Sequence, residues 1–493
     1  MKPFFSFESV ASRLPLLGLG AWLLCANAGC AQAQPAWSPV WADEFDGVSL
    51  NTSNWEAQIG TGPSGDGWGN NELQYYTGRA SNVAVGGGLL TITARAENYN
   101  GRAYTSARIR TQGKRDFRYG RFEARAKVPS GQGLWPAFWM LPTNSPYGGW
   151  ASSGEIDIVE TINLATAVYG TIHHGGPYPA NVSTGANRPG TYSDGFHVYA
   201  IEWEPDEIRW YVDGVRYNRV TSATWYSTLA PGNDRAPFDV PFHFLLNFAV
   251  GGNWPGNPNA STVLPATFQV DYVRVWQRPA KAPYSASPPA LPARIEAENY
   301  DVGGGAIAYK DNDPENQGNA YRTDEAVDVQ PCAEGGFNVG WFASGEWIEY
   351  TVNVPKAGTY SLRLRGATLN NGASFKLSAG GVDKTSTISV PATSGWQNYR
   401  TVATNITLGA GVQSLRLTNT GTSEFNVNWL EVLVPGDVDG DGKNTVDDVY
   451  TLQSGQGPFR DVDGDGSSGT SFDNSSLISP LRASEPTQLT PGN

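Results

Sequence analysis

Glu155, Asp157 and Glu160 stand in one short apolar run with Ile156, Ile158 and Val159. β-branched residues at that density predict a strand, so the acids project from a sheet rather than coating a helix. Side chains in a strand alternate with period two. Glu155 and Asp157 therefore share a face, while Glu160, five residues beyond Glu155, falls on the other. A β-bulge after Asp157 inserts one extra residue and returns Glu160 to the shared face, and bulges are frequent beside active sites. Four regular intervals then separate the two glutamates, about 13 Å of backbone, a gap that long side chains close only on a curved strand. The bland alternative is an edge strand whose outward acids discourage aggregation. Acids embedded this tightly favour chemistry, because buried like charges are costly to keep.

Paired carboxylates hydrolyse glycosidic bonds when one serves as nucleophile or base and the other protonates the leaving oxygen. Asp157, between the outer pair, is placed to hold a proton or hydrogen bond to Glu155 and to push the two proton affinities apart. Just upstream, residues 133–141 carry Trp135, Phe138 and Trp139. Trp most often fills cores. Here 17 Trp, 22 Tyr and 19 Phe accompany only 16% charged residues, more flat apolar surface than a core requires. Stacking on sugar rings accounts for the surplus.

The chain resembles family 16 glycoside hydrolases over roughly residues 37–278. Trp41, Asp43, Glu44, Phe45 and Asp46 match the family's opening strand, and residues 67–76, from Gly67 to Tyr76, match its laminarinase members. Ser106 to Ile109, Trp135 to Met140, Gly170 to His173, Trp203, and Asn247 to Trp254 continue the series. The resemblance implies an all-β fold, a β-jelly-roll sandwich with an aromatic cleft, and hydrolysis of internal β-glycosidic bonds with retention. It also implies Glu155 as nucleophile, Asp157 as its assistant and Glu160 as general acid, then base. The lichenase branch lacks the extra residue between the last two acids. Its presence here, with residues 70–76, points to β-1,3-glucan of the laminarin type. Trp135 and Trp139 are the stacking candidates, and Asn70, Glu72, Arg108 and His173 the polar cleft residues, although each polar residue alone reads as a satisfied structural group. A structural calcium ion is implied at Glu44, the Gly88 carbonyl and Asp271, all oxygen donors.

A chain of 493 residues exceeds what one core organises and predicts about three units. Lys2 and Arg13, the apolar stretch 16–24 and the small residues up to Ala33 read as a secretory signal peptide, residues 1–33. Asn27, Ala28, Gly29 and Cys30 form a poor lipoprotein box, since Leu is missing at its first position; lipidation is the minor alternative. No later stretch approaches the ~20 apolar residues of a spanning helix. Cys25 and Cys30 fall in the leader and leave Cys332 without a partner, so no disulfide framework is expected. A formal charge of -13 disfavours nucleic acid and anionic membranes. Residues 279–292, rich in proline and without hydrophobic periodicity, read as a linker that holds the next domain at a distance and permits relative motion.

Residues 293–435 carry short alternating runs that predict a second β-sandwich. They resemble family 6 carbohydrate-binding modules through Glu296 to Glu298, Asn338 to Trp341, Gly345 to Tyr350, Trp396 and Phe425 to Trp429. The resemblance implies a sugar held between Trp341 and Trp396 and hydrogen-bonded by Asn428, with a structural calcium ion at Glu296 and Glu298. The competing reading places both Trp rings in the core. Residues 436–480 contain an EF-hand-type calcium loop, with Asp437, Asp439, Asp441, the Lys443 carbonyl and Asp448 as oxygen ligands and Gly442 at the turn. A second, degenerate copy begins at Asp461, Asp463 and Asp465, with Phe472 at its twelfth position. The pair resembles a dockerin and implies a cohesin-type partner; a calcium-stabilised appendage followed by a tail, 481–493, is the alternative.

The expectation is a secreted, monomeric endo-β-1,3-glucanase with structural calcium. Its competitors are an agarase or other galactan hydrolase of the same fold and a non-hydrolytic β-glucan-recognition protein. Retention of both Glu155 and Glu160 argues against the last.

Overall fold

The computed structural model describes residues 37–285 and 287–435. The expected signal segment, the calcium-loop region 436–480, with all its proposed ligands from Asp437 to Asp465, and the tail lie outside the described residues. The first domain is a two-sheet jelly roll. One sheet has ten strands; the other has eight, ordered Asn181–Pro189, Ala167–Gly175, Glu155–Glu160, Leu134–Pro142, Phe242–Val250, Arg108–Arg110 and Glu56–Ala57, with Asp116–Phe117 paired to Phe242–Val250. The Glu155–Glu160 strand is thus interior, with a neighbour on each side, which removes the edge-strand reading of its acids.

Between the sheets lies a dense aromatic and aliphatic core that includes Trp203, Trp210, Phe122, Phe138, Phe242 and Phe244, all fully buried. Burying one such side chain contributes about 1.5–3 kcal/mol. The packing leaves no slack: a Cβ at Gly170 would come within 2.4 Å of the Trp210 ring. The other face of the eight-stranded sheet is free of the partner sheet and carries the cleft.

Among the described residues the only helical element is the short turn Gly67–Asn71, capped by the Asp66 carboxylate, which accepts the Gly69 amide. Gly67 has φ +70, and a Cβ there would meet the Glu72 nitrogen at 2.3 Å, so glycine alone lets this turn fold back and set Trp68, Asn70 and Glu72 along the cleft. No helix among the described residues is long and apolar enough to cross a membrane.

Residues 293–433 form the second sandwich, two six-stranded sheets. Its core holds Tyr300, Tyr309, Phe375 and Phe425. The linker departs from expectation. Tyr284 and Leu291 are buried, Ala282 and Ala290 bridge to Val302 and Asn353, and Lys281 pairs with Glu349 and Asp301. Prolines prevent a ladder but not isolated bridges, and the apolar side chains between them find a surface on the second sandwich. The stretch is a packed strap rather than a spacer.

Candidate active site

The bulge is present in both strand registers. Against Ala167–Gly175, Glu155 pairs with His173, Asp157 with Thr171 and Glu160 with Tyr169, so three steps on one strand face two on the other. Against Leu134–Pro142, Val159 pairs with Phe138 and Asp157 with Trp139, and Ile158 is passed over. Ile158 and Val159 therefore both turn into the core. Glu155, Asp157 and Glu160 all line one cleft of about 630 Å³. The apolar pair in the bulge buries itself, and that burial holds Glu160 on the acid face.

Two indoles hold the outer acids. Trp135 Nε1 donates to Glu160 Oε1 at 2.9 Å, and Trp150 Nε1 donates to Glu155 Oε2 at 2.8 Å. Asp157 is 2% exposed. It was expected to bond Glu155 directly, but an imidazole stands beside both instead: His173 Nε2 is 3.2 Å from Asp157 Oδ2 and 3.7 Å from Glu155 Oε1, and its Nδ1 meets Ser183 Oγ at 2.8 Å. His173 lies opposite Glu155 on the neighbouring strand, so its ring can stand beside two side chains that project in parallel from one strand.

The environment raises the proton affinities of both outer acids. Burial, then the charge of Asp157, pushes Glu155 up to about 8, against the pull of His173, the Trp150 N–H and Arg108. Burial and Asp157 push Glu160 well above the usual carboxylate range, with only Trp135 hydrogen-bonded against them. Burial opposes charge on His173, but the nearby Asp157 carboxylate, then Glu155 and Glu160, hold the imidazolium up to about 10. More groups favour the anion at Glu155 (His173, the Trp150 N–H and Arg108) than at Glu160 (the Trp135 N–H and His173), an asymmetry that suits the first to the anion's part and the second to the acid's.

All six expected substrate residues of this domain, Asn70, Glu72, Arg108, Trp135, Trp139 and His173, line the cleft. Their roles differ. Trp135 makes edge contact with Trp254 at 5.5 Å, and Trp254 with Tyr169 at 4.8 Å, which gives an aromatic wall beside Glu160. Trp139 carries the Arg108 guanidinium on its ring at 4.7 Å and donates to Asn247 Oδ1 at 2.6 Å; Trp68 also lies 4.3 Å from that guanidinium. Glu72 is buried, its carboxylate accepting from Gln74 at 2.6 Å and Tyr76 at 3.0 Å, and burial raises its pKa. It braces the wall rather than presenting a free charge.

Trp150, Tyr178 and Trp254 line the cleft without having been singled out, and each is well exposed. Trp254 closes a matched motif. Trp150 and Tyr178 lie on loops, where no periodicity reveals a direction.

In the second sandwich, Asn426 ties the two expected aromatics together: its Oδ1 accepts the Trp341 amide at 3.2 Å and its Nδ2 donates to the Trp396 carbonyl at 2.7 Å. Trp341 is 40% exposed and Trp396 half-buried, so the core reading of these rings fails. Asn428 donates to Glu334, which also receives Arg365.

The calcium positions behave differently. Glu298 is buried, its Oε2 has no hydrogen-bond partner, and burial pushes its pKa up to about 7. Glu296 is half-buried nearby in sequence and is likewise raised by burial. This orphaned oxygen fits a hard cation. Glu44 and Asp271 do not present free oxygens in the same way: each holds an arginine, Arg274 at 2.7 Å and Arg125 at 2.5 Å. A cation there would have to displace both guanidiniums, so the donor set as folded does not fit it.

Comparison with known proteins agrees with this geometry. The model for Glycosyl hydrolases family 16 matches residues 70–274, and that for Carbohydrate binding module (family 6) matches residues 317–433. The Glucan endo-1,3-beta-glucosidase A1 of Niallia circulans is 47% identical over 256 residues, covering 48% of this chain and 37% of its relative. The chain thus spans little more than a third of that relative's length. The Beta-glucanase of Rhodothermus marinus is 45% identical over 275 residues, covering 52% of this chain and 93% of its relative. The solved laminarinase of Rhodothermus marinus overlays with a TM-score of 0.45 at 45% identity, covering 49% of this chain and 97% of that one. An interior bulged strand of three carboxylates, set in a domain that fits the family model and covers 93% of the Rhodothermus marinus Beta-glucanase at 45% identity, makes the chain a member of glycosyl hydrolases family 16, followed by a family 6 carbohydrate-binding module.

Proposed function

We propose that the protein is a secreted, endo-acting retaining hydrolase of β-1,3-glucan. The observation that carries the reading is the carboxylate pair: Glu155 and Glu160 face one aromatic cleft from a bulged strand, each held by an indole N–H. In the first step the Glu155 carboxylate attacks the anomeric carbon as the Glu160 carboxyl gives its proton to the leaving oxygen. In the second, Glu160 takes a proton from water, which releases the sugar from Glu155 with retained configuration. His173 and Trp150 stabilise Glu155 as the anion, and Asp157 keeps His173 charged. The β-1,3 linkage is supported by the names of the relatives, a glucan endo-1,3-beta-glucosidase and a laminarinase. A cleft open to solvent suits attack within a chain.

Secretion follows from the leader-like residues 1–33 and from a substrate too large to enter a cell. The second module holds glucan between Trp341 and Trp396. Calcium at Glu296 and Glu298 would brace that module by neutralising a buried carboxylate, and the Asp-rich loops after residue 435 would take further calcium.

The test is parallel digestion of laminarin, mixed-linkage glucan and agarose with analysis of products. Rapid release of short oligosaccharides from laminarin is expected. Products from agarose alone would replace this reading with the galactan one, and products from none would favour the recognition protein.

A further inference from the structure

A module on a flexible tether keeps its charges in water, but the seam between the two sandwiches does the opposite. Glu204 of the first domain receives Arg278 at 2.9 Å and Arg209 at 2.5 Å, and its Oε1 also accepts the Gly305 amide of the second module at 3.2 Å. Arg278 reaches across to Glu325 at 3.7 Å, which is itself paired with Arg322 at 2.7 Å. The side chains of Glu204, Arg278 and Glu325 are 7%, 9% and 3% exposed. Charges buried to that extent are costly to leave unpaired, so separating the two domains would strip partners from several of them at once.

The backbone is fitted to the same contact. Gly304 has φ +87, and a Cβ there would lie 2.3 Å from Arg278 Cδ and 3.0 Å from Glu204 Oε1. The strap adds to this: Lys281 is ion-paired to Asp301 and Glu349, Tyr284 and Tyr321 share a hydrogen bond at 2.6 Å, and Leu291 is buried. A linker held at these points has no slack to let the modules swing.

We infer that the edge of the ten-stranded sheet around Glu204, Arg209 and Arg278 is a docking surface for the chain's own second module. The two sandwiches act as one rigid body, and glucan held between Trp341 and Trp396 meets the catalytic cleft in one fixed orientation. The functional half rests on the glucan-binding reading of that module. Two variants open the seam without touching either sugar site. Gly304→Glu places bulk and negative charge against Glu204, and Arg278→Glu reverses the central cation.

The unmodified full chain should scatter X-rays as one compact particle, unfold in one cooperative transition and protect the Gly305 amide from hydrogen exchange. Each variant should enlarge the particle, split the transition and lower the rate on insoluble glucan by about severalfold, as expected when effective concentration is lost, with soluble oligosaccharides hydrolysed as before. Scattering from separated modules, or a freely exchanging Gly305 amide, in the unmodified chain would overturn the docking, and neither measurement needs a variant that folds. An enlarged particle with an unchanged rate on insoluble glucan would overturn the fixed-orientation claim. Should Trp341→Ala leave glucan binding intact, the binding-module reading fails instead, while the scattering result stands.

Discussion

The two sugar sites of this chain lie on similar two-sheet scaffolds and use the same residue types to different ends. In the first, three carboxylates on one interior strand are crowded until burial and mutual repulsion raise the proton affinities of the outer pair, and two indole N–H groups are turned onto that pair. In the second, Trp341 is exposed, Trp396 is half-buried, and Glu334, the acid beside Asn428, is already paired with Arg365, which helps hold its pKa low against burial. A neutralised acid can accept hydrogen bonds from a sugar but has no proton to trade. Crowding of like charge, more than the presence of aromatics or acids, separates a hydrolytic cleft from a binding one.

The largest test of that contrast is Glu155→Gln, which should lower laminarin hydrolysis by at least about 10⁴-fold, as loss of a nucleophile does elsewhere. Glucan retention in affinity electrophoresis should persist. Undiminished hydrolysis would remove Glu155 from the nucleophile role. Next, Glu160→Gln should cost about 10²–10⁴-fold on glucan, the usual range for a general acid. An aryl glycoside with a good leaving group, which needs no proton, should lose far less in its first step; equal losses on both would count against Glu160 as the acid.

Trp150→Phe keeps an aromatic ring, though a smaller one, and deletes the N–H that favours the Glu155 anion. A hydrogen bond to a charged group contributes about 1.5–3 kcal/mol, so a loss of about tenfold or more is expected. The sign of the pH effect follows: without the N–H the Glu155 pKa rises, so the acidic limb of the rate profile moves to higher pH while the alkaline limb, set by Glu160, stays in place. An unmoved acidic limb would show the contact to be incidental. The smallest effect is Trp341→Ala, which should weaken retention on insoluble glucan by about tenfold or less and leave turnover of soluble oligosaccharides alone. A parallel fall in that turnover would mean the two sites are not separate in function.

Much of this was legible before folding. The parity conflict between Glu155 and Glu160 called for a bulge because side-chain direction in a strand is a local property, and the registers place the extra residue between Asp157 and Glu160. The motif singles out Trp341 and Trp396, which the structure places outside the core, and alternation gives the sandwiches. His173 was expected as a polar cleft residue, but not as the bridge between Glu155 and Asp157, because that contact depends on cross-strand register. Trp150 and Tyr178 were missed for a related reason, since a loop side chain takes its direction from what it packs against. The strap at residues 279–292 was misread as a spacer because proline content reports the absence of a ladder and not the presence of a surface to lie on.

Sequence alone thus determined the strand, its irregularity and the identity of the acids, each a consequence of residue order over a few positions. Only the tertiary structure decided which cations and N–H groups face each acid, which aromatic N–H meets a carboxylate, and how the second sandwich sits on the first. Those depend on burial and on charges brought together from distant segments, as where Arg278 meets both Glu204 and Glu325. Electrostatic energy there is set by distance and dielectric, and neither exists until the chain is folded.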